Sequence, residues 1–230
     1  HRHRHQQPRA HLTRGDRVRK QRLKPRLERQ IGVIWRQILG VERVRLRDNF
    51  FELGGHSLLA IRLLDAIARD GVARCVNVAA QSVGSAEFVA VISRRLEAEP
   101  SLACRLWIDL PEALALERPL LVRELSRRWR PLGVMLGLEH AGEGLARIPQ
   151  LMDLGLDFVR IDGRFVNGIA GPDAEPARRY LQGLVTLVQT VGLQVTAEDV
   201  RSADDLALLW GMGFDAATGP ALVNEPVPLG

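Results

Sequence analysis

Apolar residues recur at intervals of three and four between residues 26 and 97, which is the spacing of amphipathic helices. The first run ends at Gly40, the second opens at Ser57 and stops at Gly71, and Ser85 can cap the third. This segment is therefore predicted to be a small helical bundle. The apolar positions of its helices are Leu27, Ile31, Ile34, Ile38 and Leu39, then Leu58, Ile61, Leu64 and Ala68, then Phe88, Val89, Ile92 and Leu96.

From residue 104 the pattern changes to short apolar runs that alternate with longer amphipathic stretches. Alternation of this kind is typical of βαβ crossovers and a parallel sheet. The predicted fold is therefore multidomain, α and α/β, with a partial (β/α) barrel behind the helical bundle and a boundary at Pro100 and Ser101. Strands are predicted at Leu106–Leu110, Val134–Leu138, Phe158–Ile161, Gln194–Ala197 and Phe214–Ala216, and helices near 119–130, 143–154, 174–191 and 202–212.

The amino-terminal residues show neither pattern. They are polar and rich in Arg and His, so we expect a basic flexible tail. The chain carries 32 Lys and Arg against 27 Asp and Glu, a net charge of +5. Residues 1–30 hold eleven of the basic and two of the acidic residues, which leaves 21 basic and 25 acidic residues, a net −4, in the other 200. The expected domains are the tail at 1–25, the helical module at 26–98 and the partial barrel at 104–230.

The tail also bears on partners, because its arginines have a salt-dependent affinity for phosphate. It contains no aromatic residue on which bases stack, so a solvated linker is the preferred interpretation and no nucleic-acid partner is expected. No apolar run approaches the roughly 18 residues of a membrane helix. The chain has two cysteines, Cys75 and Cys104, without metal-ligand spacing. A disulfide scaffold is therefore not expected, and a cytoplasmic location is the default.

The stretch from Asp48 to Ala60 places Gly54 and Gly55 shortly before the helix that opens at Ser57. A hydroxyl at a helix amino terminus lies near backbone N–H groups and the positive end of the helix dipole, which favours an attached phosphate. The alternative is that Ser57 only caps its helix. The spacing is not that of a nucleophile elbow, so we interpret the serine as a modification site rather than a nucleophile.

This stretch closely resembles the thiolation motif of peptidyl carrier domains from nonribosomal peptide synthetases, and the resemblance reaches back to Leu27. It implies that Ser57 carries a 4′-phosphopantetheine arm that holds amino acids as thioesters. It also implies partners: a phosphopantetheinyl transferase that uses coenzyme A, and adenylation and condensation domains. His56 matches the peptidyl type, since fatty-acid carriers usually have aspartate in that place. The motif residues around the serine are Asp48, Phe50, Phe51, Gly54, Gly55, His56 and Leu58.

Two flanking segments bear on the carrier resemblance. Residues 12–23 resemble a worn end of an adenylation domain, with Arg17 where that family has its lysine. Residues 73–79 lack the short third helix that carrier domains have before their last helix. That departure concerns docking with partner enzymes more than the modification itself.

Acidic residues follow most of the predicted strands. The carboxyl ends of parallel strands lie on one face of a βα sheet, where barrel enzymes build their sites. Clustered carboxylates there favour a divalent cation, and the alternative is that each acid caps the following helix. The acids are Asp109 at the end of the first predicted strand and Glu112 just past it, Glu139 after the second, Asp162 after the third and Glu198 after the fourth.

Four segments of this half resemble EAL domains, which bind or hydrolyse cyclic di-GMP. The segment with the name-giving Glu-Ala-Leu and the strand with a metal-binding asparagine find no match. Glu139 and His140 stand where active members have paired aspartates, and Thr218 replaces a glutamine. The matching segments are residues 132–142, 154–162, 195–200 and 212–220.

The resemblance places Arg160 where the family has its catalytic lysine, and a guanidinium cannot lose a proton to act as a base. Asp109 and Glu198 align with family acids, but two acids do not form a two-metal site. Neither hydrolysis nor a metal site is therefore expected. The degenerate EAL-site positions are Asp109, Glu139, His140, Arg160, Asp162, Glu198 and Thr218.

These patterns predict a phosphopantetheine-dependent carrier protein with a noncatalytic EAL-like appendage, which is not an enzyme. The appendage has five predicted strands, fewer than the eight of a complete barrel. The alternative is a degenerate cyclic di-GMP receptor or signalling protein with a vestigial carrier segment. A decayed fusion with neither activity is the third interpretation. The carried acyl group stays open, because an adenylation domain makes that choice.

Overall fold

The computed structural model describes residues 36, 38–43, 53, 57–70, 73–148 and 151–222, with Ser57, Leu58 and Asp70 described by their backbone alone. The predictions for the tail at 1–25 and for the first helix up to residue 35 lie outside these residues. So do those for the motif residues Asp48, Phe50, Phe51, Gly54, Gly55 and His56.

The described residues form a parallel sheet of six strands in which each strand lies beside the one that precedes it in the chain. α-Helices, or 3-10 turns in one case, connect successive strands, and the sheet curls as half of a barrel. The predicted α/β architecture with a partial barrel is therefore confirmed. The strands are β1 (Arg74–Asn77), β2 (Leu106–Pro111), β3 (Met135–Ala141), β4 (Phe158–Ile161), β5 (Gln194–Ala197) and β6 (Ala216–Ala217).

Strand β1 lies in the segment that was predicted to contain only helices and loops. It pairs in parallel with β2, and the register joins Arg74 to Leu106 and Asn77 to Asp109. The five strands predicted after residue 104 are β2–β6, and β1 adds a sixth that was not predicted. The sheet therefore begins about 30 residues before the expected boundary at 104. The strand escaped the pattern because its two ends are polar, which leaves no apolar run to detect.

Most of the helices around the sheet match their predicted positions, but the stretch at 143–154 does not. It forms two short 3-10 turns, Leu145–Arg147 and Leu151–Leu154, because Pro149 in the sequence interrupts helical hydrogen bonding. The helices are α1 (Ser57–Asp70), α2 (Ala80–Gly84), α3 (Ala86–Ala98), α4 (Pro100–Ala103), α5 (Glu112–Glu117), α6 (Pro119–Trp129), α7 (Gly163–Val166), α8 (Glu175–Thr190) and α9 (Ala203–Gly211).

Helix α1, which opens at Ser57, is a wall of the half-barrel. Its buried face consists of Ala60, Leu63, Leu64 and Ile67, which join one continuous hydrophobic core with the sheet. The predicted face is thus shifted by about one position, and only Leu64 belongs to both. Helix α3 packs beside α1, and Arg95 Nε of α3 lies 2.7 Å from Asp65 Oδ1 of α1.

Helix α1 runs antiparallel to the strands. Near its carboxyl end, the Ala68 carbonyl accepts a hydrogen bond of 3.3 Å from Nη2 of Arg105, the residue that precedes β2. Near its amino end, Ala60 lines a cavity of ≈ 40 Å³ with Val78, just after β1, and Phe88, near the start of α3. The amino terminus of α1 therefore lies at the end of the sheet where the strands terminate.

Within the described residues, every helix is too short or too polar to span a bilayer.

Candidate functional site

Side chains from five adjacent strands meet where the strands end. Asn77 ends β1, Asp109 lies in β2, Glu139 and His140 lie in β3, Arg160 lies in β4, and Asp162 and Glu198 directly follow β4 and β5. Register explains the meeting, because parallel pairing aligns Asn77 with Asp109 and Arg160 with Thr196. We call this group the strand-end cluster, and its members are Cys75, Asn77, Asp109, Glu139, His140, Arg160, Asp162 and Glu198.

Arg160 lies at the centre of the cluster and is buried. Its Nη1 donates to Oδ2 of Asp109, and its Nε lies 2.9 Å from Oε1 of Glu198. Burial alone lowers the pKa of a guanidinium, but the charges of Asp109 and Glu198 outweigh it and raise the pKa of Arg160 well above its ordinary value. Arg160 is therefore a fixed internal cation that neutralises these carboxylates.

Cys75 and Asn77 belong to the cluster and were missed by sequence reasoning. Cys75 Sγ donates to Asp109 Oδ2 at 3.1 Å and lies 3.7 Å from Nη1 of Arg160. The Asn77 amide donates to Oε2 of Glu139. Both residues lie on β1, so the expectation that the sheet lacks an asparagine-bearing strand was wrong. The available signal was Val76-Asn77-Val78, an asparagine flanked by two valines.

Glu139 ends a buried stretch of β3 and has little contact with solvent. Burial raises the pKa of Glu139 to about 8, and the negative charge of Asp109 adds to this effect. The carboxyl group is therefore largely protonated at neutral pH. In that state Glu139 is a hydrogen-bond donor as well as an acceptor, unlike Glu198.

His140 has an unusual backbone for a residue with a side chain. Its φ is 51°, at the point where the register between β3 and β4 shifts, and such a conformation is held in place by surrounding contacts. Its amide donates to Glu198 Oε2 at 3.1 Å, and its Nδ1 lies 3.3 Å from Oδ2 of Asp162. The hydrogen bond from its side-chain Nδ1 to Glu198 Oε2, at 3.3 Å, raises the pKa of His140 although burial opposes it.

Two of the anionic members have lowered pKa values in spite of burial, which is the largest single influence on each and acts to raise the pKa. For Glu198, the charge of Arg160 and the hydrogen bond from His140 together outweigh burial and hold the pKa below its ordinary value. For Asp162, the backbone and side chain of Arg164 lower the pKa with the help of the His140 charge. Asp162 also caps α7, since its Oδ1 accepts a 2.8 Å hydrogen bond from the Arg164 amide.

The side chains of Glu112 and Thr218 form hydrogen bonds with backbone groups outside the strand-end cluster. The two carboxylate oxygens of Glu112 each accept a 3.0 Å hydrogen bond, from the amides of Gly142 and Gly144. Thr218 is buried and its hydroxyl lies 3.4 Å from the Ala197 carbonyl. Glu112 therefore fixes the loop after β3.

The EAL resemblance implies metal ions, and the cluster does not fit a two-metal site. The guanidinium of Arg160 contacts the oxygens of Asp109 and Glu198, and those oxygens are the hard ligands that a divalent cation needs. Within the described ranges, no group of three or more His, Cys, Asp or Glu side chains is arranged to hold a metal ion.

The carrier resemblance implies a 4′-phosphopantetheine group, and the local backbone fits it. Helix α1 begins at Ser57, so the residue lies among backbone N–H groups that favour a phosphate. No acidic residue lies in the first turn of α1 to oppose that phosphate. The group would be held through Ser57 and would supply a thiol for thioester formation.

Comparison with models of protein families gives two matches. The EAL domain model covers residues 53–225. The model of the phosphopantetheine attachment site covers residues 29–73. The two matches overlap at residues 53–73, the segment that contains α1.

Individual relatives fall into the same two groups. A cyclic di-GMP phosphodiesterase, NbdA of Pseudomonas aeruginosa, is 27% identical over 169 residues, which are 74% of this chain and 21% of that protein. A linear gramicidin synthase subunit of Brevibacillus parabrevis is 60% identical over 40 residues. These residues are 17% of this chain and less than 1% of the synthase subunit. The chain thus spans about a fifth of the first relative and a minute part of the second.

Solved structures share the fold. The S helix-GGDEF-EAL portion of Vibrio cholerae LapD, bound to c-di-GMP, superposes with a TM-score of 0.64 at 18% identity and covers 71% of this chain and 40% of that chain. The FimX EAL domain from Pseudomonas aeruginosa, bound to c-di-GMP, superposes with a TM-score of 0.62 at 20% identity and covers 71% of this chain and 66% of that chain.

Proposed function

Because this chain belongs to the EAL domain family and its residues 29–73 match a phosphopantetheine attachment site, we propose that it is a carrier protein joined to a noncatalytic EAL half-barrel. Ser57 would carry the 4′-phosphopantetheine arm, and the arm would hold acyl or aminoacyl groups as thioesters for nonribosomal peptide synthesis. The observation that carries the proposal is the start of α1 at Ser57, inside the attachment-site match.

The chemistry on the thioester would be done by partners. A phosphopantetheinyl transferase would attach the arm from coenzyme A, and adenylation and condensation domains would load and use it. The carrier module would extend from residue 26 to the end of α1, and the half-barrel from the start of α1 to Leu222. We propose the division at this place rather than at 98–104, and the packing of β1 and α3 with the sheet supports it.

The half-barrel would not hydrolyse cyclic di-GMP. Arg160 supports this part, because its guanidinium keeps its proton and holds Asp109 and Glu198 in ion pairs. Removing a proton from water at this place needs a base, or a metal ion that lowers the pKa of the bound water. The cluster offers neither arrangement, since His140 is paired with Asp162 and Glu198 and its pKa is raised.

The carrier proposal is tested by intact-protein mass after incubation with coenzyme A and a promiscuous phosphopantetheinyl transferase. The wild type should gain one arm and the Ser57→Ala variant none. Ser85→Ala is the matched control, since Ser85 caps α3 through a hydrogen bond of 3.3 Å from the Phe88 amide and should not affect the arm. A wild type without an arm, or an arm on the Ser57→Ala variant, would refute the proposal.

A second candidate function is binding of cyclic di-GMP without cleavage. It is favoured by the strand-end cluster, which puts the guanidinium of Arg160 and the imidazole of His140 on the face where ligands of (β/α) barrels bind. Titration calorimetry with cyclic di-GMP tests it on the folded protein. Saturable heat would support it, and the absence of heat from the folded protein would exclude it.

A further inference from the structure

The attachment helix and the strand-end cluster lie at the same end of the molecule. The Ala68 carbonyl, near the carboxyl end of α1, accepts a hydrogen bond from Arg105 just before β2. Ala60 lies eight residues earlier, about 12 Å closer to the strand ends. Ser57 lies one turn further along α1 in the same direction, about 4.5 Å at 1.5 Å per residue. Since α1 packs against the sheet through Leu63, Leu64 and Ile67, this placement is fixed by the core.

The cluster has unused hydrogen-bonding capacity at its base. Asp109 is 0% exposed, and its Oδ1 has no hydrogen-bond partner among the described residues. Its other oxygen accepts from Cys75 and Arg160. A buried carboxylate oxygen without a donor is costly, so a donor from outside the described residues would stabilise it.

Access to this place is open on one side. Cys75 is only partly buried, although its sulfur contacts the buried Asp109. It stands two residues before the end of β1, about 7 Å below the strand end. In the described part of the chain, β1 is an edge strand whose only sheet neighbour is β2.

We propose that the 4′-phosphopantetheine arm on Ser57 folds over the strand ends, so that its thiol end reaches Cys75 and Asp109 inside the half-barrel. This inference rests on the proposed modification of Ser57. The thiol of the arm would donate to Oδ1 of Asp109, as Cys75 does to Oδ2. The half-barrel would then be the resting place of the unloaded arm.

The two cysteines of the chain provide the test. Cys104 is the more exposed and lies just before β2, at the opposite end of the sheet. The length of α1, about 20 Å for 14 residues, separates that end from Ser57. An arm that rests in the half-barrel should therefore reach Cys75 and not Cys104.

The experiment is oxidation of the arm-bearing protein with diamide, followed by proteolysis and mass spectrometry. Diamide takes up the two hydrogens that two thiols release when they form a disulfide. We expect a disulfide between the arm and Cys75 within one molecule, with Cys104 left free. The variant Cys75→Ser should lose it, and the variant Cys104→Ser should keep it.

The same reaction in denaturant gives the baseline ratio of arm–Cys75 to arm–Cys104 disulfides, because loop closure in the unfolded chain favours the cysteine nearer to Ser57. Cys75 is 18 residues from Ser57 and Cys104 is 47, which gives a preference of about fourfold. The folded protein should exceed this ratio at least tenfold. A folded ratio near the baseline, a link to Cys104 or only intermolecular disulfides would overturn the proposal. A protein whose mass shows no arm would refute the modification of Ser57 itself, and this inference with it.

Discussion

The ion pairs of Arg160 lead to the most specific prediction. The variant Arg160→Met keeps most of the side-chain volume and removes the charge between Asp109 and Glu198. Asp109 is 0% exposed and would become a buried carboxylate without a counterion. Glu198 is 7% exposed and would keep only its contacts with His140. Removing one partner of a buried ion pair destabilises a protein by about 3–5 kcal/mol.

For a domain of this size, a loss of about 3–5 kcal/mol lowers the melting temperature by roughly 6–20 °C. Chemical denaturation measures the free energy of unfolding, and calorimetry measures the melting temperature. Arg179→Met is the matched control, because Arg179 is 79% exposed and lies 2.9 Å from the exposed Glu175. An exposed pair of this kind contributes at most about 1 kcal/mol.

Two further measurements separate charge from packing. The triple variant Arg160→Met, Asp109→Asn, Glu198→Gln should recover much of the lost stability, because it leaves no buried charge unpaired. Millimolar Mg²⁺ should stabilise Arg160→Met and leave the wild type unchanged, since only the variant offers unpaired carboxylates to a cation. If Arg160→Met unfolds within about 1 kcal/mol of the wild type, the ion pairs do not stabilise the half-barrel and the reasoning is refuted.

Three more substitutions test other parts of the structure. Burial raises the pKa of Glu139 from 4.5 to about 8, so the contribution of this group to stability is complete below pH 4.5 and is lost as the pH rises through 8. Denaturation curves measured from pH 5 to 8 should therefore show a decline in stability. The variant Glu139→Gln should flatten this decline, and the exposed control Glu143→Gln should not. Ile67→Ala should destabilise the half-barrel by about 2–5 kcal/mol in thermal unfolding, whereas Arg62→Ala on the exposed face of α1 should have little effect, and equal effects would contradict the core position of α1. Glu112→Gln should cost about 1–3 kcal/mol, because an amide cannot accept both backbone hydrogen bonds, and an unchanged unfolding midpoint would disprove this role.

Two strands were predicted from the sequence with the bounds that the structure has, Phe158–Ile161 and Gln194–Ala197. Strand β1 was not predicted, because the polar residues Arg74 and Asn77 at its ends leave no apolar run that would indicate a strand. For the same reason Cys75 was not recognised as a site residue, because its place in the strand-end cluster follows from its position on β1.

Part of the strand-end cluster was predictable for a topological reason. Acids after parallel strands must meet on one face, so Asp109 and Glu198 were found without a structure. The ion pair between Arg160 and Asp109 spans 51 residues and depends on the curl of the sheet. No local pattern contains that information, nor the positive φ of His140.

Helix α1 has a consequence for anyone who edits this chain. Its fourteen residues lie within both the attachment-site match and the EAL match, so there is no joint at which the modules can be separated. A cut before Ser57 removes the serine's leading motif, and a cut after Asp70 removes the buried face formed by Ala60, Leu63 and Leu64. Exchange of modules between proteins relies on a linker that can be cut without loss of either module. In this chain, residues 57–70 would have to be retained with each of the two parts.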